Sequence, residues 1–184
     1  PPLESPPPIY LAALRPKMIE MAAGTGDGVI FNLWPKEALP KMMQHVRKGA
    51  EAAGKDPDGV EVVNRFMVCV TDDVEEARKR FRASFAPYYA TPVYNKFLSW
   101  AGYEEAAAQI REGWAEKDRN KTAGAMSDAM VDAIGILGSA DHCRARIAEA
   151  MDGGVNTAII APLAGSPEEM QATLEAFTAD AFSP

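Results

Sequence analysis

Apolar runs along the chain alternate with stretches in which apolar residues recur every three or four positions. The apolar runs predict strands at residues 9–13, 29–32, 61–70 and 156–161. Helical spacing follows each of them, and the helices are bounded by cap residues such as Ser139 and Ser166. Strands that alternate with helices predict a mainly parallel sheet, because each parallel pairing needs a crossover connection.

The stretch from about 87 to 133 breaks this alternation. Aromatic residues occur there among helix-forming residues, and no strand-like run separates them. We interpret the stretch as a helical insertion, which could cover the mouth of a site, form a surface for a second copy, or make an ordinary satellite core. Residues 1–8 are rich in proline and predict an extended linker. The remainder, 9–184, is expected to form one domain.

Two architectures fit this order of elements: an open doubly wound sheet and an arc of a (β/α)₈ barrel. A complete barrel takes about 250 residues. The chain has 184 residues and four convincing strands. It is therefore long enough for about half of a barrel.

Charge and composition exclude several classes of function. Lys and Arg total 19 against 26 Asp and Glu, a formal net charge of −7, and the basic residues do not cluster. Binding to nucleic acid or to an anionic membrane is therefore not expected. No apolar run reaches about 18 residues, and the chain opens with no signal-like segment. Cys69 and Cys143 have no metal-type spacing and fit a reducing cytoplasm.

Ligands of parallel α/β proteins bind beyond the carboxyl ends of the strands. The stretch from Leu14 to Lys17 joins the first predicted strand to a helix, where free N–H groups favour an anion such as phosphate. Arg15 could add a guanidinium contact, or it could be a solvated residue at a helix start. Asn32 ends the second strand, where it could contact a ligand or serve as a turn residue.

Catalytic machinery is not recognisable in the residues themselves. His45 and His142 have no partner at a spacing that would make a metal site or a nucleophile and base pair. No glycine-rich nucleotide motif, P-loop or serine elbow is present. The residues alone thus predict an α/β protein with one phosphate site, no metal site and catalytic residues that remain unknown.

An ordered set of motifs resembles the luciferase-like flavin and deazaflavin oxidoreductases. The segments that carry the resemblance span nearly the whole chain and lie at residues 8–18, 23–24, 26–30, 49–57, 68–73, 94–102, 127–128 and 153–155. The resemblance implies a (β/α)₈ barrel that uses reduced FMN or the deazaflavin coenzyme F-420 in hydride transfer or monooxygenation of a small molecule. The match favours F-420, with FMN as the alternative.

The resemblance also implies a cofactor site. In the family, the stretch that matches Ala13, Leu14 and Arg15 meets the cofactor phosphate through backbone groups, and the position of Asn32 lies beside it. Many members have glycine where this chain has Arg15. The arginine would replace a close backbone approach with a side-chain contact.

The resemblance places the family's first four βα units before Pro1, so the chain is expected to be the carboxyl-terminal half and inactive alone. Its exposed strand edges would then pair with the missing amino-terminal half or with a second copy. The sequence is also compatible with two other functions. One is a non-catalytic half-barrel module for assembly or regulation, and the other is an open α/β domain that binds a phosphorylated metabolite.

Overall fold

The computed structural model describes residues 6–182, and residues 1–5 of the predicted linker lie outside the described residues. A parallel five-stranded sheet forms its centre. The strands are β1 (Tyr10–Ala12), β2 (Gly28–Asn32), β3 (Glu61–Val70), β4 (Ile136–Gly138) and β5 (Thr157–Pro162). β1 pairs with β2 and β2 with β3, while β3 also pairs with β5 along its middle and with β4 at its carboxyl end. The predicted parallel α/β architecture is confirmed.

Nine α-helices connect the strands within the described residues. They are α1 (Pro16–Thr25), α2 (Leu39–Ala52), α3 (Val74–Ala90), α4 (Pro92–Ala101), α5 (Glu104–Ala115), α6 (Arg119–Gly124), α7 (Asp128–Ile134), α8 (Ala140–Asp152) and α9 (Pro167–Glu175). Five of them, α3 to α7, stand between β3 and β4, where the sequence lacks strand-like runs. Short 3-10 helices lie at Lys36–Ala38 and Pro57–Gly59.

One face of the sheet, which we call the covered face, packs against helices. It presents Phe31, Val62 and Phe66 to a core that also contains buried residues of α1, α2 and α8. The helices α1 and α2 approach closely at Gly49, where a Cβ atom would collide with the backbone of Glu20. Phe31 of β2 and Val62 and Phe66 of β3 share this face, because alternate residues of a strand point to the same side of the sheet.

The opposite face, which we call the open face, carries Ala12, Ile30, Asn32, Arg65 and Ile159 in register across four strands. Arg65 and Ile159 are exposed. The carboxyl end of this face is packed: there Met67, Cys69 and Ala161 join a second core formed with the helices α3 to α7. Val63, nearer the amino end of β3, is also buried.

Three local expectations were wrong. The strand β4 was missed because only Gly135 separates it from α7, so its apolar residues continue the helical stretch without a visible break. Asp72 and Glu75 have the spacing of a capping box, but the cap of α3 is Asp73, which accepts the Glu76 N–H at 3.1 Å.

The spacing of Met170, Leu174 and Phe177 predicts a buried stripe on the last helix, and this expectation is wrong for two of the three. Met170 and Leu174 are exposed, Phe177 just beyond α9 is half-buried against the core, and the buried residue of α9 is Thr173. Its hydroxyl oxygen accepts the Val70 N–H at 2.9 Å. The helix therefore docks on the end of β3 through a polar side chain rather than through its apolar positions.

Candidate functional site

A cavity of about 390 Å³ lies at the carboxyl ends of β1 and β2. Its volume falls within the usual range for small-molecule sites. The lining includes all four predicted site residues and the first turn of α4: Ala12, Ala13, Leu14, Arg15, Met18, Ile30, Asn32, Val93 and Tyr94. The residues that the sequence analysis proposed for ligand binding at the ends of β1 and β2 thus lie around one cavity.

The exit of β1 positions the first side of the cavity. Ala13 continues the ladder by donating its N–H to the Ile30 carbonyl at 3.1 Å. Arg15 then adopts an extended conformation and is the N-cap of α1, with no side-chain cap bond. Since Pro16 has no N–H, the free donors of the first helical turn are the amides of Lys17 and Met18. An oxyanion is the group that such a corner stabilises.

The exit of β2 is held by two buried hydrogen bonds. Leu33 has φ 52°, which is uncommon for a residue other than glycine. The Tyr89 hydroxyl donates to its carbonyl at 2.9 Å, and burial raises the pKa of Tyr89 well above its ordinary value, so the phenol remains a donor. The Trp34 indole N–H donates to Asn64 Oδ1 at 2.7 Å. These bonds stabilise the loop directly after Asn32.

Asn32 presents an amide that the described residues only partly satisfy. Its Nδ2 group donates to the Tyr94 hydroxyl at 3.4 Å. Its Oδ1 atom is buried and has no hydrogen-bond partner in the described part of the chain. A buried acceptor without a donor costs about 1–3 kcal/mol. Asn32, which lines the cavity, therefore carries an unsatisfied acceptor.

Sequence reasoning did not identify Tyr94 as a site residue. Tyr94 lies on α4, 62 positions from Asn32 along the chain, and it meets Tyr89 edge-on at a ring distance of 5.8 Å. Its segment belongs to the family resemblance, but nothing in the spacing indicated contact with β2. The helical segment thus contributes both a satellite core and one wall of the cavity.

The two histidines do not line this cavity. Nδ1 of His45 is 2.7 Å from a Glu20 carboxylate oxygen, a contact between α1 and α2. His142 is in the first turn of α8. Between residues 6 and 182, no group of three or more His, Cys, Asp or Glu side chains is arranged to hold a metal ion. No helix in the same range is long and apolar enough to cross a membrane.

Comparison with known proteins gives a consistent family. The profile of the family described as luciferase-like monooxygenase matches residues 1–157. A 5,10-methylenetetrahydromethanopterin reductase from Methanolobus tindarius is 33% identical over 162 residues, which are 87% of this chain and 48% of the relative. The chain therefore spans about half the length of this curated relative.

Two solved structures share the fold. The coenzyme F-420-dependent tetrahydromethanopterin reductase from Methanopyrus kandleri superposes with a TM-score of 0.71 at 23% identity, over 90% of this chain and 48% of that protein. An F-420-dependent secondary alcohol dehydrogenase, solved with an F-420-acetone adduct, superposes with a TM-score of 0.69 at 15% identity, over 98% and 50%. At these identities the likeness concerns the fold.

Proposed function

From the premise that the chain belongs to the luciferase-like monooxygenase family, we propose that it is the cofactor-phosphate-binding half of an F-420-dependent oxidoreductase. One observation carries the proposal: Ala13, Leu14, Arg15 and Asn32 surround a single cavity at the carboxyl ends of β1 and β2. Ligands of parallel α/β proteins bind at this end of the sheet.

The chain's own groups suit a phosphorylated cofactor. The Arg15 guanidinium and the amides of the first turn of α1 would bind phosphate oxygens, since both are donors next to the positive end of a helix. The unpartnered Asn32 Oδ1 would accept a hydrogen bond from the cofactor. When bound, F-420 supplies the centre that gives or takes a hydride. The protein's part is binding and orientation.

The choice of F-420 follows the relatives, two of which carry F-420 in their names. FMN is the alternative, because it also has a phosphate group that the corner at Arg15 would bind. The substrate would be a small molecule held at the same end of the sheet.

The open face supports the proposal that the chain is half of a barrel. In the described residues β1 pairs only with β2, and β5 pairs only with β3, so each leaves one edge unpaired. The matched relative is about twice as long. Unpaired edges and an exposed sheet face favour closure by another half, either the missing amino-terminal half or a second copy. We propose that the chain does not turn over substrate without this half.

Fluorescence titration tests the phosphate contact. F-420, FMN and riboflavin, which lacks the phosphate, would be titrated into the chain alone and into the chain mixed with the amino-terminal half of the Methanolobus tindarius relative. We expect F-420 and FMN to bind the mixture. We also expect Arg15→Gln to weaken FMN about tenfold while leaving riboflavin unchanged, because one charge-assisted contact is lost.

The matched control is Arg47→Gln, which removes an exposed charge from α2 far along the chain from the cavity residues. The proposal is wrong if neither F-420 nor FMN binds the mixture, or if Arg15→Gln weakens riboflavin as much as FMN. Assembly of the two halves without cofactor binding would favour a non-catalytic half-barrel module. Arg15, in place of the family's usual glycine, is the feature that would explain this result.

A further inference from the structure

Arg65 is a charged residue inside the sheet. It lies in the middle of β3, and every other residue of that strand is buried or half-buried, whereas Arg65 is exposed. The register pairs it with Asn32 on β2 and with Ile159 on β5, all on the open face. An arginine in the centre of an apolar strand needs a physical reason.

No acidic partner accounts for it. In residues 6–182, no carboxylate oxygen lies within 4.0 Å of the Arg65 guanidinium. The contact that it does make is to the sulfur of Met67 at 3.6 Å, and a thioether is a weak acceptor. Six arginines of the described residues pair with carboxylates, namely Arg47, Arg78, Arg80, Arg82, Arg144 and Arg146. Arg15, Arg111 and Arg119 share with Arg65 the lack of such a pair within residues 6–182, but none of these three lies inside a strand.

The position of Arg65 along β3 brings it to the level of the cavity. Its partner Asn32 is the last residue of β2 and lines the cavity, so Arg65 lies beside the cavity's edge in the neighbouring strand. Neighbouring strands are about 4.8 Å apart, which places Arg65 one strand beyond Asn32 and two beyond β1. In a closed barrel the open face would become the interior, where an unpaired charge is strongly unfavourable.

We infer that Arg65 binds an acidic oxygen, of a carboxylate or a phosphate, on the small molecule held at the mouth, separately from the phosphate contact of Arg15. This inference rests on the proposed function, because it requires the open face to line a ligand-binding interior. The acidic oxygen belongs either to the cofactor or to the substrate. Both sources offer the same chemistry to the guanidinium.

Two titrations of the chain assembled with the amino-terminal half distinguish these sources. The first follows F-420 binding by fluorescence. The second follows inorganic phosphate by calorimetry, with and without F-420. We expect Arg65→Gln to weaken one of the two ligands at least tenfold and Arg65→Lys to restore most of the loss. Arg47→Gln, which removes an exposed charge on α2, should leave both unchanged.

The outcomes separate the inference from the proposed function. If Arg65→Gln binds both ligands within twofold of the wild type, the inference is wrong while F-420 binding stands. If it weakens only the association of the two halves, the charge pairs with a carboxylate of the other half, and the inference is also wrong. If F-420 never binds but phosphate binding depends on Arg65, the proposed function fails and the anion site remains. A wild type that takes up neither ligand contradicts both.

Discussion

Two asparagines on neighbouring strands point to opposite faces of the sheet and differ in their hydrogen bonding. Asn64 on β3 points to the covered face, is 2% exposed and accepts the Trp34 indole N–H at 2.7 Å. Asn32 on β2 points to the open face and keeps a buried oxygen without a partner. The residue type is the same, and the surroundings differ.

The difference separates structural from binding roles. A buried amide whose oxygen is partnered inside the fold holds two elements together, and its removal costs stability. An amide left partly unpartnered beside a cavity destabilises the fold slightly and completes its hydrogen bonds only when a ligand is bound. The same logic applies to Arg65, which has no carboxylate partner among residues 6–182, and to Arg80, whose charge is paired with Glu169 at 2.7 Å.

The largest effect is expected on the covered face. Asn64→Leu keeps the size of the side chain but leaves the Trp34 N–H buried without an acceptor. We expect the free energy of unfolding to fall by about 3 kcal/mol in urea titrations followed by circular dichroism. Asn32→Leu is the matched control and should cost less than about 1 kcal/mol. Equal losses for both variants would contradict the distinction between the faces.

The next effect concerns the packed carboxyl end of the open face. Glu169 accepts the Gly165 N–H at 2.6 Å and pairs with Arg80, which joins α9 to α3. We expect Glu169→Gln to lower the free energy of unfolding at pH 7 by about 2 kcal/mol, because charge-assisted hydrogen bonds are lost.

The pH dependence of the Glu169 variant gives a sharper result. Burial would raise the pKa of Glu169, but hydrogen bonds from Gly165, Thr71 and Arg80 together hold the pKa below its ordinary value of 4.5. A carboxylate with a lowered pKa stabilises the fold above the pKa of the unfolded chain and stops doing so as the pH falls through the folded value. The difference from the wild type should therefore shrink below about pH 4.5. The control variant is Glu175→Gln, which changes an exposed carboxylate on the same helix.

A smaller effect on free energy is expected at the cavity. Asn32→Ala should weaken F-420 binding to the assembled protein about tenfold, or about 1.4 kcal/mol, because one buried hydrogen bond to the ligand is lost. The midpoint of urea unfolding should stay close to that of the wild type. If Asn32→Ala binds F-420 normally, or loses as much stability as Asn64→Leu, the proposed role of the Asn32 amide in ligand binding is wrong.

The smallest effect concerns the two buried thiols, which we expect not to react with a thiol reagent in the folded chain. Cys69 and Cys143 are fully buried, and burial raises the pKa of Cys143 to about 12. At pH 8 we expect a thiol reagent to modify neither residue until the chain unfolds. A cysteine placed on the open face by Ile159→Cys should react within seconds in the unassembled chain. Rapid labelling of the native pair would show that the cores are less closed than the structure indicates.

Sequence reasoning selected residues that the structure brings together. The strand ends pointed to Leu14, Arg15 and Asn32, the family resemblance added Ala13, and the structure lines one cavity with all four. Sequence reasoning missed Tyr94, because contact with Asn32 depends on how α4 folds back over the sheet. It also passed over Arg65, although a charge inside an apolar strand was a visible signal.

The sequence by itself determined the alternation of strands and helices, apart from β4, and their parallel arrangement, because hydrophobic periodicity and cap residues act over short distances along the chain. The family was indicated separately, by a resemblance of ordered motifs. Only the tertiary structure decided which face of the sheet is covered, which polar groups find partners, and that Asn32, Tyr94 and Arg15 line one cavity. Those outcomes depend on strand register and on contacts between residues far apart in sequence, which no local pattern encodes.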